Sequence, residues 1–503
     1  MAEQQQQQQQ QQEHPLLWAA LTTATLVVLY LYRINQSMKA VPPSAAAKYP
    51  QPWTPQQVQQ TFDRIKRNRL DFSKHLPPAL ERRYVVVGGS GLVGGDIVLQ
   101  LLQRGQSPQS IRIVDFQPLT KEKMLLGGAG ACDLVKADIS SSASVEAAFA
   151  KPWPESESKK PLTVFHTAAM IRPAERKWVL YDRIRKVNVV GTANVLAAAR
   201  KVGAGADTIF IATSSSSVAL RPVKFWGWPW RSTPKDYVQI FTESDFDAPI
   251  RPHGEFFANY GYSKAEAERL VCGANEEGFR TGVLRPGNGI YGDFNDTCMG
   301  STLGYGKTGP VTSWTTHIIQ NFVNSRNVAL AHLQFEAALA LPGSTPKCAG
   351  RPYLVTDPGQ PVRFGELYRA LDQLAVTPLK ITLPPPVMML LFAHAIEAWS
   401  LLLAYLPVLT KEFGWKEPAG LISNLQPAIF TPTAHTIADD SAARRSVEDG
   451  GLGYRGVCDT LEGMCDLIVD WNEREERNGG SDKTKAAKGA VAAVLPTPEP
   501  VGA

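Results

Sequence analysis

The pattern of apolar and polar positions divides the chain into unequal stretches. An unbroken glutamine run, Gln4 to Gln12, opens it. Such a segment has no means of building a core, so residues 1–14 read as a low-complexity tail. Next comes "LLWAALTTATLVVLYLY", Leu16 to Tyr32, without a charge and closed by Arg33 and Lys39. Its length lies near the lower limit of the roughly 17 to 25 residues of a spanning helix, which predicts a membrane anchor over residues 15–34. A cleaved signal peptide carries positive charge ahead of its apolar core, whereas here Glu13 precedes and Arg33 follows. The positive-inside bias then keeps the following domain in the cytosol. Residues 35–81 are rich in Pro and Gln and predict a linker; its basic end, "RIKRNRL", suits either an anionic lipid surface or a solvated helix face.

From residue 82 to about 472 the period changes. Runs rich in β-branched residues ("YVVVGG", "IRIVD", "TVFHTAA", "IFIATSS", "TGVLRP") alternate with helical patterns such as "DIVLQLLQRG". Strand, helix, strand in this rhythm predicts an α/β domain built on a doubly wound parallel sheet of Rossmann type, with a smaller C-terminal substrate-binding part. A second apolar stretch, residues 382–409, is interrupted by His394 and Glu397. Spanning the bilayer there would carry the rest of the domain to the opposite side. The reading is therefore a monotopic, membrane-associated helix, with a buried core helix as the alternative. Residues 473–503, with their Gly, Lys and Pro, predict a disordered tail.

Composition narrows the function classes. The 503 residues are 44% hydrophobic and 20% charged, a globular balance, and the net charge of +5 is small for this length. No basic run is interleaved with aromatics, which argues against a nucleic-acid partner. The six cysteines form no CxxC pair, so neither a metal site nor a disulfide framework is suggested.

The candidate chemistry lies in two motifs. Gly88, Gly91 and Gly94 follow a strand and open a helix, where a tight turn brings backbone N–H groups close to a pyrophosphate. Asp115 ends the next strand, where an acidic side chain takes ribose hydroxyls and repels a 2′-phosphate, favouring NAD over NADP. Arg112, three positions earlier on the strand, leaves on the opposite face. The second motif is "ANYGYSKAEAERL". Residues four apart share a helix face and residues two apart do not, so Tyr260 stands with Lys264 while Tyr262 points away.

Together these motifs resemble the short-chain dehydrogenase superfamily in its extended form, over residues 83 to about 472. The resemblance implies an NAD-dependent oxidoreductase with a catalytic Ser215 in "TSSSSV", Tyr260 as proton acceptor and Lys264 holding the nicotinamide ribose and lowering the phenol's pKa. It assigns Leu92 to the glycine turn, Asp138 to the adenine, Ala168 in "FHTAA" to the strand end beneath the cofactor, Asn188 to a structural role and Pro286 in "LRPGNGIYG" to the nicotinamide loop. Thr213, Ser214 and Ser216 remain alternatives for the serine register. His166 reads as a core residue, and the tryptophan cluster "KFWGWPWRSTP" as a loop at the mouth of the site.

Within that superfamily the chain looks most like the 3β-hydroxysteroid dehydrogenase family, in particular its sterol-4α-carboxylate 3-dehydrogenase (decarboxylating) branch, on "VVGGSGLVG" and "LVCGAN". That implies a sterol or steroid substrate, membrane lipid and other sterol-modifying enzymes as partners, an endoplasmic-reticulum membrane, and leaves an oligomer open. The nearest competitor is a 3β-hydroxysteroid dehydrogenase with Δ5–4 isomerase activity, which needs a second acid/base group that the residues do not assign. A non-catalytic NAD-binding membrane scaffold is expected to lack a catalytic member, yet Ser215, Tyr260 and Lys264 are all present.

Overall fold

The β-branched runs form seven parallel strands: β1 (Arg83–Val87), β2 (Ile111–Asp115), β3 (Asp133–Lys136), β4 (Leu162–His166), β5 (Thr208–Thr213), β7 (Phe279–Pro286) and β8 (Pro352–Val355), with β6 (Val238–Phe241) lying outside this sheet. The computed structural model describes residues 2–203, 207–343 and 345–478. The order β8-β7-β5-β4-β1-β2-β3 reverses direction beside β1, between β4 and β2, so the crevice at their C-terminal ends is the place where a dinucleotide fits such a sheet.

Helices cover both faces, as the near-continuous apolar strands require. On one face α4 (Leu92–Gln103) packs against α7 (Ser325–Leu339), and on the other lie α5 (Gly191–Gly203) and α6 (Asn259–Gly273). The smaller part draws on segments before and after β7: β6 pairs with β9 (His435–Ala438) in a second sheet. The predicted fold class is the one observed.

The N-terminal quarter differs from expectation. Helix α1 (Ala2–Met38) takes in the glutamine run as well as the apolar stretch, so it overruns the predicted anchor at both ends, glutamine being a fair helix former. The segment expected as a linker is folded onto the domain. It forms α2 (Pro43–Ala46) and α3 (Pro55–Arg67), whose Val58, Phe62 and Ile65 are buried against α9 (Thr460–Arg477). Of the basic stretch, Arg64 pairs with Glu462 at 2.6 Å and Arg69 with Asp466 at 2.7 Å, while Arg64, Lys66 and Arg67 form an exposed helix face. Helix α9 continues to Arg477, past the predicted boundary at 472, and its Glu475 pairs with Lys307; the rest of the expected tail, from residue 479, lies outside the described residues.

Within residues 382–409, α8 (Pro386–Tyr405) has one face in the domain and one outside it. Val387, Leu390, Ala393, Ile396 and Leu403 are buried in the domain, while Met388, Phe392, Trp399 and Tyr405 leave an apolar face open. The Arg176 guanidinium grips the buried Glu397 with two hydrogen bonds of 2.6 and 2.7 Å.

Candidate active site

The glycine turn is shaped by what it excludes. Gly88 has φ 85°, and a Cβ there would come within 2.6 Å of Ala168 N. A Cβ on Gly94 would stand 2.3 Å from Gly88 O and 2.7 Å from Thr167 Oγ1, so α4 can approach β1 and β4 this closely only through glycine. Gly91 caps α4 and Leu92 begins it, which leaves the first N–H groups of the helix facing the crevice. This cradle fits a pyrophosphate, the anionic part of a dinucleotide.

Asp115 is fixed at the rim. Its Oδ2 accepts from Ser90 N at 2.9 Å and its Oδ1 from Gln117 N at 2.9 Å. Arg112 lies on the opposite face, buried, with its Nε on Asp133 Oδ2 at 2.7 Å, so it offers no cation to a 2′-phosphate. Asp138 is exposed in the turn after β3, and Ser140 N and Oγ donate to its Oδ1 at 2.9 and 2.8 Å. Ala168 N donates to Val87 O at 3.0 Å, and Pro286 ends β7 buried beside the same crevice.

Tyr260 and Lys264 lie one turn apart near the start of α6. The start of that helix is held by Asn259 N, which donates to Glu175 O at 2.8 Å, and by Asn188. Asn188 sits in a π-helical turn, 186–190; its Oδ1 accepts from Met170 N at 2.8 Å and its Nδ2 donates to Ser263 Oγ at 3.1 Å. Of the four serines after β5, Ser214, Ser216 and Ser217 are buried, with hydroxyls that have no partner. Ser215 alone is half-buried, and its hydroxyl stands close enough to the Tyr260 phenol to lower its pKa. Lys264 Nζ donates to Thr213 O at 2.8 Å. The structure thus brings Ser215, Tyr260 and Lys264 together at the C-terminal end of β5.

Their electrostatics depart from expectation. Burial pushes the Tyr260 phenol up to about 12, against the lowering influence of the Ser215 hydroxyl. Burial also draws the Lys264 ammonium down to about 8, against the attraction of Glu268. Desolvation is the largest influence on both groups.

Tyr262 packs among Trp178, Tyr181, His253 and Phe256, away from the serine. His166 is buried, bonded to Thr192 Oγ1 at 3.0 Å, and held down at about 3 by burial and then by the Lys264 charge, so it is neutral. Two features escaped the sequence reading. Thr167 Oγ1 supports the glycine turn by donating to Val87 O at 3.0 Å, and Glu268, one turn beyond Lys264, ties α6 to β7 through Arg285. The i, i+4 step from Lys264 to Glu268 was the available signal for the second.

A family model described as the 3-beta hydroxysteroid dehydrogenase/isomerase family matches residues 85–384. The chain belongs to this family. As a 3-beta hydroxysteroid dehydrogenase/isomerase family member it is an oxidoreductase, and the glycine turn, Asp115 and the Ser215–Tyr260–Lys264 group all fall within or beside the matched span. Curated relatives include the sterol-4-alpha-carboxylate 3-dehydrogenase, decarboxylating, of Schizosaccharomyces pombe, 30% identical over 315 residues, which covers 62% of this chain and 81% of that protein. The 2-alkyl-3-oxoalkanoate reductase of Stenotrophomonas maltophilia is 28% identical over 293 residues, 58% of this chain and 74% of that one. Among solved structures, the epimerase Mth375 of Methanothermobacter thermautotrophicus has TM-score 0.52 at 14% identity over 84% of this chain and 98% of that one, a likeness of fold.

Proposed function

We propose that this family member oxidises the 3β-hydroxyl of a 4α-carboxysterol with NAD, and that the 3-ketone formed loses carbon dioxide. The observation that carries the reading is the gathering of Ser215 and Tyr260 with Lys264, one turn behind and donating to Thr213 O, at the crevice of a dinucleotide-type sheet. Ser215 holds the substrate oxygen, Tyr260 takes the hydroxyl proton, and Lys264, fixed on Thr213 O, sets the charge beside them. Gly88, Gly91, Leu92 and Gly94 hold the pyrophosphate, Asp115 the adenosine ribose, Asp138 the adenine, and Ala168 and Pro286 flank the nicotinamide. Bound NAD supplies the hydride acceptor and a positive ring next to the phenol. Asp115, with no arginine on its face, favours NAD over NADP.

Two relatives support the carboxylate. The names of the Schizosaccharomyces and Stenotrophomonas proteins both describe a carboxylate one carbon removed from the carbon that carries the oxygen. Oxidation of such a compound makes a β-keto acid, whose C–C bond electrons pass into the ketone as an enolate when carbon dioxide leaves; no further protein base is needed. The apolar α1 and the open face of α8 support an anchored enzyme of a sterol-handling membrane, the endoplasmic reticulum, with its domain in the cytosol. The competing reading, a 3β-hydroxysteroid dehydrogenase with isomerase activity, rests on a relative of that name in Mycobacterium tuberculosis, 30% identical over 221 residues.

The deciding experiment offers the solubilised full chain a 4α-carboxysterol, a plain 3β-hydroxy-Δ5-steroid and a sugar nucleotide, and follows NADH and carbon dioxide together. NADH with carbon dioxide from the first substrate is the expected result. NADH from the second substrate alone, or from the sugar nucleotide, would replace this reading.

A further inference from the structure

The tryptophan cluster forms a loop that connects the Ser215 strand to β6 and is closed at its base by Lys224 N donating to Lys235 O at 3.0 Å. Both apolar helices hold it. Tyr30 of α1 stacks on Trp226 with ring centroids 6.5 Å apart and donates its hydroxyl to Gly227 O at 3.2 Å. Arg33 Nε donates to Pro229 O at 3.4 Å, and Trp226 Nε1 donates to His394 Nε2 of α8 at 2.9 Å. The tip stays open: Trp228 is 68% and Trp230 62% exposed, their rings 5.0 Å apart.

The point of attachment fixes the loop's depth. Every residue from Leu16 to Leu29 is exposed, and α1 first meets the domain at Tyr30, with Ile34 and Met38 buried. The apolar run from Leu16 to Tyr32 is about 25 Å long as a helix, against a hydrocarbon core of about 30 Å, so both its ends must lie at a water interface when it is embedded. Its cytosolic end is the turn Tyr30–Arg33 that grips the loop. Trp228 and Trp230 therefore stand at headgroup level, where indole rings are favoured, and the exposed Lys224, Arg231 and Lys235 beside them complement anionic lipid. Behind the loop, Val223 N donates to Thr431 Oγ1 at 3.1 Å, and the neighbouring Ala428 packs with Leu220 and Tyr260.

We propose that the Trp226–Trp230 loop is the bilayer-contacting lip of the active-site cleft: it lies in the headgroup layer of the membrane that holds α1, and substrate passes over it from lipid to Ser215 and Tyr260. The passage rests on the sterol reading above; the placement of the loop rests only on α1 and its contacts.

The test separates the two. All six native cysteines are buried, so Trp228→Cys in the full chain offers one reactive thiol for an NBD fluorophore, and Gln109→Cys, exposed at the other end of the sheet, serves as the control. Both proteins are placed in vesicles of phosphatidylcholine and phosphatidylserine, with and without shallow nitroxide-labelled lipid. The expected result is a blue-shifted NBD emission at 228, quenched about twofold by the nitroxide, and a solvent-like, unquenched signal at 109. Equal, solvent-like signals at both sites would overturn the placement, whatever the substrate is. The double variant Trp228→Ala, Trp230→Ala then tests passage: KM for vesicle-borne sterol rises severalfold with kcat unchanged. An unchanged KM alongside nitroxide quenching overturns the passage and leaves the loop a membrane contact only.

Discussion

Glu268 of α6 and Arg285 of β7 form a buried, doubly hydrogen-bonded ion pair, with Arg285 Nε 2.9 Å from Oε2 and Nη2 2.5 Å from Oε1. The pair fixes the helix that carries Tyr260 and Lys264 against the strand that ends at Pro286. Arg285 Nη1 also lies 2.6 Å from Asp245 Oδ1, so Glu268→Ala leaves the guanidinium one carboxylate and is expected to lower stability by about 1–3 kcal/mol, whereas Arg285→Met strands the buried Glu268 carboxylate and costs about 3–5 kcal/mol; Glu268→Met with Arg285→Met loses less than Arg285→Met alone. Chemical denaturation of the three variants checks this, and a double variant no better than Arg285→Met would refute it.

The serine register has a direct comparison. Ser215 meets Tyr260, while the Ser214 hydroxyl is buried without a partner. Ser215→Ala is expected to lower kcat about 100-fold, as loss of one oxygen-binding donor does. Ser214→Ala should cost less than threefold by the same steady-state assay, a rough bound from its lack of any hydrogen bond to lose. Reversed magnitudes would move the register by one residue.

Tyr260 starts high, pushed to about 12 by burial. It therefore holds its proton at pH 7, and oxidation, which needs the phenolate, should speed up as pH rises, by at most about tenfold per unit, while the reverse reduction slows. Tyr260→Phe should reduce turnover about 1,000-fold or more and leave NAD binding nearly intact by calorimetry. An oxidation rate that is flat between pH 7 and 9 would contradict the role given to this residue.

Lys264 titrates near 8 in the folded chain and near 10.4 when unfolded. Between those values the unfolded state binds more protons, so stability rises with pH across that window; below pH 8 the whole cost of burying the charge is present. Lys264→Met removes that cost but leaves Thr213 O without its donor. The variant should be inactive yet more stable by about 2 kcal/mol at pH 7, with the gap closing toward pH 10.5. Thermal unfolding at both pH values measures it.

Asp115 is anchored by two backbone N–H groups, stands beside Lys136 in the β2–β3 register, and has Arg112 on the opposite face. Asp115→Ala should shift the NADP-to-NAD ratio of kcat/KM about tenfold toward NADP, by removing a repulsive charge and a ribose acceptor together. An unchanged ratio would place the adenosine ribose elsewhere.

What the sequence revealed and what it hid follow one physical rule. The glycine turn, the alternation of strands and helices and the Tyr260–Lys264 step are local patterns, each set by neighbours within a few residues. The folded segment before β1 was not legible in the same way. Val58, Phe62 and Ile65 carry a helical apolar spacing, but the surrounding Pro and Gln look like a linker, and the surface that buries them is α9, at the far end of the domain. The high Tyr260 pKa was hidden for a related reason: spacing puts Lys264 one turn away, but the burial that raises the phenol is set by the packed site. The open face of α8 depends on which side the domain covers, which its uniform apolar sequence does not encode.

The clasp between α3 and α9 also orders events in time. Arg64 and Glu462 are 398 residues apart, and Arg69 and Asp466 are 397 apart. A ribosome adding about 5–20 residues per second needs roughly 20–80 s to make the later partner after the earlier one has emerged. During that interval the apolar helix has already left the tunnel and can be taken up by a membrane, while Val58, Phe62 and Ile65 have nothing to cover them. The clasp can therefore close only once the far end of the domain has been made, and a nascent protein stopped before residue 460 would leave its two ends unjoined.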